Sequence, residues 1–231
     1  MSIELYLYLF TLLLASIAAA LFIFALKRSF KKIPETWKKF QRCHFFCYGI
    51  CFLMIHLTIT WICESINCYF AINGINNHFI STICFTLSLP FLFGFFFINT
   101  TSKWKKISYC ILYLLLVLHF IKEGYYHPKC IVPVSSILFT CSTHFLAALL
   151  YLTDLLIYPK TFFFKLQIQI GSTILIRELL AAILGSYFYS GMFENKDLFF
   201  RLQFYNMVLS YFLLIPFFLS GIVKLKKQSI V

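Results

Sequence analysis

Long apolar runs alternate with short polar stretches along the whole chain, and this alternation predicts membrane-spanning helices. A spanning helix needs about 20 mainly apolar residues. Runs of this character cover residues 4–26, 44–63, 79–99, 107–121, 132–158, 166–189 and 204–223. The fourth is the weakest, because it has only 15 uncharged residues before Lys122. The pattern therefore predicts an all-α protein: a polytopic transmembrane bundle of seven helices that forms a single domain over residues 1–231.

The basic residues are divided unevenly between alternate connections, which predicts the orientation of the bundle. Cytoplasmic loops of membrane proteins collect Lys and Arg. The connections after the first, third and fifth predicted helices, together with the C-terminal tail, hold 15 basic residues, whereas the opposite set of connections holds 4. We therefore expect the N terminus outside and the C terminus in the cytoplasm.

The composition excludes a soluble domain and argues against nucleic acid as a partner. Of the 231 residues, 61% are hydrophobic and 12% are charged, where a soluble domain has about 45–50% and about 25%. The net charge of +12 comes from basic residues in short stretches between apolar runs. That arrangement is typical of membrane orientation. The lipid bilayer is the expected partner, while a small-molecule or protein partner remains open.

Sequence motifs for catalysis or cofactor binding are missing. The chain has no P-loop, no GxGxxG and no GxSxG. Of its nine cysteines, most lie in or beside apolar runs, where they act as small apolar residues. Cys63, Cys68 and Cys130 lie near the predicted outer ends, so one disulfide among these three is open. We expect no cofactor, and no metal site because no ligand spacing supports one.

The sixth predicted helix carries Arg177 and Glu178 in the middle of an apolar run. A charge near the bilayer centre costs from about 3 to above 10 kcal/mol, so such residues face the bundle interior and mark function by default. On a helical wheel Glu178 shares a face with the small and polar residues Gln167, Gly171, Ala181, Ala182 and Gly185. Adjacent residues do not face each other. We therefore expect Arg177 and Glu178 to pair elsewhere, with Asp154 the nearest candidate for Arg177.

The fifth predicted helix has a comparable face. Its small and polar members are Thr140, Thr143, His144, Ala147, Ala148, Tyr151 and Asp154. Small residues let membrane helices approach closely, so we expect this face to pack on the sixth helix, with Ala147 and Ala148 near Ala181 or Gly185. On the second helix, His56 lies about as deep as His144, counting 1.5 Å per residue.

These positions define a candidate ligand or ion chamber, formed by Glu178, Arg177, His144, His56 and Asp154. The leading hypothesis is a membrane protein that acts by binding, either sensing a ligand in the bundle or serving as the membrane partner of other proteins. One alternative is a small transporter or proton-coupled carrier using Glu178 and Arg177. A buried network that only sets the helix register and an intramembrane enzyme are the others.

Three segments resemble parts of a known group. They are the Asn-rich stretch entering the third helix (GINNHFISTICFTL), the basic connector TTSKWKK and the start of the sixth helix (LQIQIGSTILIREL). Together they resemble small seven-helix membrane proteins of unknown function from Bacteroidetes bacteria. The resemblance implies a multi-pass protein of the bacterial inner membrane. It carries over no catalytic or ligand-binding residue.

Overall fold

The computed structural model describes residues 3–30, 41–73, 78–126, 134–157, 163–189 and 196–228. Within these ranges the chain is helical and contains no strand, which confirms the all-α class there. The helices are α1 Ile3–Phe30, α2 Gln41–Ile72, α3 His78–Asn99, α4 Lys103–Tyr126, α5 Val134–Ile157, α6 Phe164–Tyr189 and α7 Lys196–Gln228. Counting only the residues that the structure describes, six of them contain a stretch long and apolar enough to cross a membrane, and in α3 the described apolar stretch is Thr86–Asn99. The chain is thus a multi-pass membrane protein.

The helices follow the predicted order, but some extend beyond the predicted runs. The fourth apolar run is short in the sequence, but α4 begins at Lys103, continues through Lys122 and offers a 20-residue span, Lys103–Lys122. Helix α2 continues to Ile72 and α7 starts at Lys196. Charged and polar residues can continue a helix at the membrane surface, since long side chains place their polar ends in water. Hydropathy alone therefore underestimates helix length.

The helices form a closed ring. Each helix packs against its neighbours in sequence, and α1 packs against α7. Because α3 also contacts α5, α4 is displaced to the outside of this pair. Accordingly, only 11% of the α4 span is buried, the lowest value among the six. Helix α4 therefore presents most of its surface to the outside of the ring.

Aromatic side chains and a glycine close the ring where α1 meets α7 and the residue before α6. The fully buried Phe22 ring lies 5.7 Å from the Phe163 ring and 6.0 Å from the Phe218 ring. A Cβ atom at Gly221 would lie 2.5 Å from Phe22 Cε2. Small residues allow such close approach in membranes, where lipid is as apolar as the protein interior and tight packing supplies much of the attraction between helices.

Helices α5 and α6 also pack closely, but not in the expected register. A Cβ atom at Gly171 would meet Tyr151 and Leu152, and one at Gly185 would meet Leu138. The expected proximity of Ala147 and Ala148 to Gly185 is wrong, since Leu138 precedes Ala147 by nine residues, about 13 Å of helix. Their proximity to Ala181, the other expectation, stays a prediction. The wheel predicted the packed faces, but the register depends on the shapes of larger side chains such as Leu138, which a wheel does not contain.

The sequence leaves open one disulfide among Cys63, Cys68 and Cys130. Cys63 is buried and its thiol is free. The side chain of Cys68 and the whole of Cys130 lie outside the described residues.

Candidate functional site

Glu178 lies in the ring interior, as the helical wheel of α6 predicts. Its exposure is only 4%. Of the small and polar positions that were predicted to share its face, Gln167, Gly171, Ala181 and Gly185 are buried as well, whereas Ala182 is half-buried. The side chain of the adjacent Arg177 is 14% exposed. Two opposite charges therefore lie in largely apolar surroundings, where each needs compensation.

Arg177 and Glu178 compensate each other directly, which corrects the expectation that sequence neighbours do not pair. Arg177 Nε donates to Glu178 Oε1 at 2.9 Å, and Nη2 donates to the same oxygen. The guanidinium lies at the end of a long flexible side chain and can fold along the helix to the next residue. In apolar surroundings the attraction between opposite charges is strong, so this pairing outweighs the unfavourable spacing.

The guanidinium is also held by Tyr211 of α7. Arg177 Nη1 donates to the Tyr211 hydroxyl at 3.4 Å, and the guanidinium carbon lies 5.8 Å from the centre of the Tyr211 ring. An arginine within about 6 Å of an aromatic face gains a cation–π attraction. Arg177 thus links α6 to α7.

His144 of α5 approaches the carboxylate from the other side. Its Nδ1 lies 3.5 Å from Glu178 Oε1, and Cys141, three residues earlier in α5, is buried as well. The His144 ring is 4% exposed and lies 5.8 Å from the Phe93 ring. Its second nitrogen, Nε2, is buried and has no hydrogen-bond partner within the described part of the chain. This unpaired nitrogen is the open position of the cluster.

His56 brings α2 into the same layer. It is buried, and its Nδ1 lies 3.0 Å from the carbonyl oxygen of Ser88 in α3. Three of the candidate residues, Arg177, Glu178 and His144, are therefore joined by direct contacts, and His56 is buried in α2.

Asp154 is separate from this cluster, and its expected pairing with Arg177 is wrong. Its carboxylate accepts hydrogen bonds from Thr101 N at 2.8 Å, Thr101 Oγ1 at 2.9 Å and Ser102 N at 3.3 Å. Lys105 Nζ lies 3.7 Å away. Asp154 follows His144 by ten residues, about 15 Å of helix. Its backbone donors, in the α3–α4 connection, are much closer than Arg177 and would otherwise lack a partner.

Several contributors to the cluster escaped the sequence analysis. Asn206 Nδ2 of α7 donates to the Arg177 carbonyl oxygen at 2.9 Å, and Gln203 Nε2 donates to the Ala181 carbonyl oxygen at 3.2 Å. A signal was present, because Gln203, Asn206 and Ser210 follow helical spacing on one face of α7. Cys141 precedes His144 by three residues, so it shares that face, but its thiol was counted as apolar.

The cluster combines one fixed cation, one carboxylate and one imidazole with an open nitrogen. Among the described residues no group of three or more His, Cys, Asp or Glu side chains could hold a metal ion. What the arrangement can do is hydrogen-bond a molecule at His144 Nε2 or exchange a proton between His144 and Glu178.

The chain has no significant match to a protein family, to a curated protein or to a solved structure.

Proposed function

We propose that this integral membrane protein acts by binding a small, uncharged polar molecule in the middle of the helix ring. The observation that carries the proposal is the buried, unpaired Nε2 of His144. Leaving a buried polar atom without a hydrogen bond costs about 1–3 kcal/mol. A ligand that bonds to this nitrogen recovers that free energy.

The charges around His144 favour a neutral ligand. Arg177 and Glu178 already compensate each other, so a charged ligand would have to break their pair or enter without compensation, and either is costly in apolar surroundings. The Phe93 ring, 5.8 Å from the His144 ring, provides an apolar wall. A molecule with one hydrogen-bonding group on an apolar body fits these features.

A thermal-unfolding screen tests the binding role. The probes are benzyl alcohol, benzamide and indole, added to the purified protein in lipid nanodiscs. We expect at least one probe to raise the unfolding temperature of the wild type and to lose this effect in His144→Phe, which keeps a ring but lacks Nε2. His119→Phe is the matched control, because it makes the same replacement at a histidine outside the cluster. His119 stacks on Phe139 of α5, with 4.6 Å between ring centres. Equal responses of wild type and His144→Phe to every probe would contradict the proposal.

A proton-coupled carrier is the second candidate. It is favoured by the contact of 3.5 Å between the Glu178 carboxylate and His144 Nδ1, across which a proton can move. Liposomes containing the protein, given a pH gradient, measure the flux. Proton flux that is present in the wild type and lost in Glu178→Gln supports the carrier. Absence of flux in both favours the binding role.

We further propose that all seven helices cross a bacterial inner membrane, with the N terminus outside and the C terminus in the cytoplasm. The asymmetry of 15 to 4 basic residues between the two sets of connections supports this orientation. Reporter fusions before Met1 and after Val231 should report opposite sides. If they report the same side, the number of crossings is even. Helix α3, whose described apolar stretch is limited to Thr86–Asn99, would then be the first to reconsider.

A further inference from the structure

A groove of about 470 Å³ runs along the outer surface of the ring between α3 and α4. One wall is Phe97 of α3. The other is formed by two parallel rows of α4 side chains, each spaced by four residues: Lys103, Ile107 and Ile111 in one row and Lys106, Cys110 and Leu114 in the other. The two lysines lie at one end of this surface, which we call the α4 groove, and the remaining lining side chains are hydrophobic.

The dimensions of the α4 groove match one leaflet of a bilayer. From Lys103 to Leu114 the helix advances eleven residues, about 16 Å. The hydrocarbon core of a bilayer is about 30 Å thick, so the groove extends from the membrane surface to about the mid-plane. Its lysines lie at the start of α4, at the level of the lipid headgroups, while Cys110 and Leu114 lie at the level of the acyl chains.

Both lysines of the groove have their charge available. Lys106 Nζ lies 5.1 Å from the centre of the Phe97 ring, and within the described residues neither Lys103 nor Lys106 pairs with a carboxylate. Lys105 differs, because it lies 3.7 Å from Asp154 and donates to Thr153 Oγ1 at 3.0 Å. Among the described residues, the two ammonium groups therefore have no carboxylate partner, and they lie at one end of the hydrophobic part of the α4 groove.

We infer that the α4 groove binds one phospholipid with an anionic headgroup, taken from the surrounding bilayer. Its phosphate is attracted by Lys103 and Lys106, and one acyl chain lies along Cys110 and Leu114. Net-neutral zwitterionic lipids bring their own ammonium group close to these lysines, so the groove selects anionic lipid. The occupant packs on the most lipid-exposed helix, which contacts only α3 and α5 among the described elements.

Lipid retention measured by native mass spectrometry tests this site. The purified protein is equilibrated in detergent with equal amounts of dioleoyl-phosphatidylglycerol and dioleoyl-phosphatidylcholine, which share their acyl chains. We expect the wild type to retain the anionic lipid with a preference of about thirtyfold, as two lysines at the headgroup level predict. In Lys103→Gln/Lys106→Gln the preference should fall to near one.

The matched control is Lys27→Gln/Lys165→Gln. It removes the same charge from exposed positions at the end of α1 and the start of α6. If every helix crosses the membrane, these ends lie on the same face as the start of α4. It should keep the preference. An equal loss in both double variants would mean diffuse attraction to a basic face and would overturn the proposal, as would equal retention of both lipids by the wild type.

Cys110→Trp tests whether an acyl chain occupies the α4 groove, separately from binding of the headgroup by the lysines. Cys110 is exposed, so the larger ring fills the groove while both lysines remain. Loss of the anionic preference in this variant supports a lipid whose chain occupies the groove. An unchanged preference shows that the groove holds no chain, and the proposal then fails. Circular dichroism confirms that each variant is folded.

Discussion

Arg177 and Glu178 depend on each other because both are largely enclosed by the bundle. Removing one member of a buried ion pair leaves the other charge uncompensated, at a cost of about 3–5 kcal/mol. We expect Arg177→Gln and Glu178→Gln each to lower the free energy of unfolding by that amount. The double variant should lose much less than the sum, since it leaves no buried charge. Unfolding in mixed micelles with increasing denaturing detergent measures this cycle. Additive losses would show that the two residues are not coupled.

Asp154 stabilises the connection between α3 and α4 rather than the central cluster. It is 2% exposed and accepts hydrogen bonds from two backbone amides and one hydroxyl. Asp154→Ala should lower the free energy of unfolding by about 3 kcal/mol, because three donors in the connection lose a buried, charged acceptor. Lys105→Gln should cost less than about 1 kcal/mol, since that ion pair is partly solvated. Losses of equal size would mean that the ion pair, not the connection, is what Asp154 supports.

At the scale of helices, the register between α5 and α6 determines which residues meet at the site. The two helices are antiparallel, because Gly171 contacts Tyr151, whereas Gly185, later in α6, contacts Leu138, which is earlier in α5. That register brings His144 to Glu178, with Nδ1 and Oε1 separated by 3.5 Å. A slip by one turn, about 5.4 Å, would separate them.

Cysteine cross-linking measures this register directly. In a background without native cysteines, Leu138→Cys/Gly185→Cys should form a disulfide, because the two positions are in contact. Ala147→Cys/Gly185→Cys should not, since Ala147 lies about 13 Å further along α5, beyond the reach of a disulfide. A disulfide in Ala147→Cys/Gly185→Cys and none in Leu138→Cys/Gly185→Cys would support the register expected from the helical wheels instead.

The whole ring depends on the closure between α1 and α7. Gly221→Ala should lower the free energy of unfolding by about 1–3 kcal/mol through overpacking, because the added Cβ would lie 2.5 Å from the fully buried Phe22 ring. Gly185→Ala is the matched control. Its nearest neighbour is the flexible end of Leu138, at 2.9 Å, and alanine favours the helix by about 1 kcal/mol over glycine. Thermal unfolding should therefore show a loss for Gly221→Ala alone, and similar values for both would contradict this account of the closure.

Local patterns in the amino-acid sequence were enough to determine the helical class, most of the apolar spans and the inward direction of Glu178. Hydropathy and helical periodicity involve residues within a few turns of each other, so they can be read without the fold. The polar faces of α5 and α6 were predictable for the same reason. The α7 face with Asn206 was equally readable from its spacing.

Only the tertiary structure decided which residues meet across these faces. Arg177 pairs with its neighbour Glu178, and Asp154 pairs with the α3–α4 connection, because flexible side chains choose partners by distance and charge in three dimensions. The unpaired Nε2 of His144 and the displacement of α4 likewise follow from how distant helices pack. Helix register and ring closure depend on the shapes of side chains far apart in the sequence, and no local pattern contains that information.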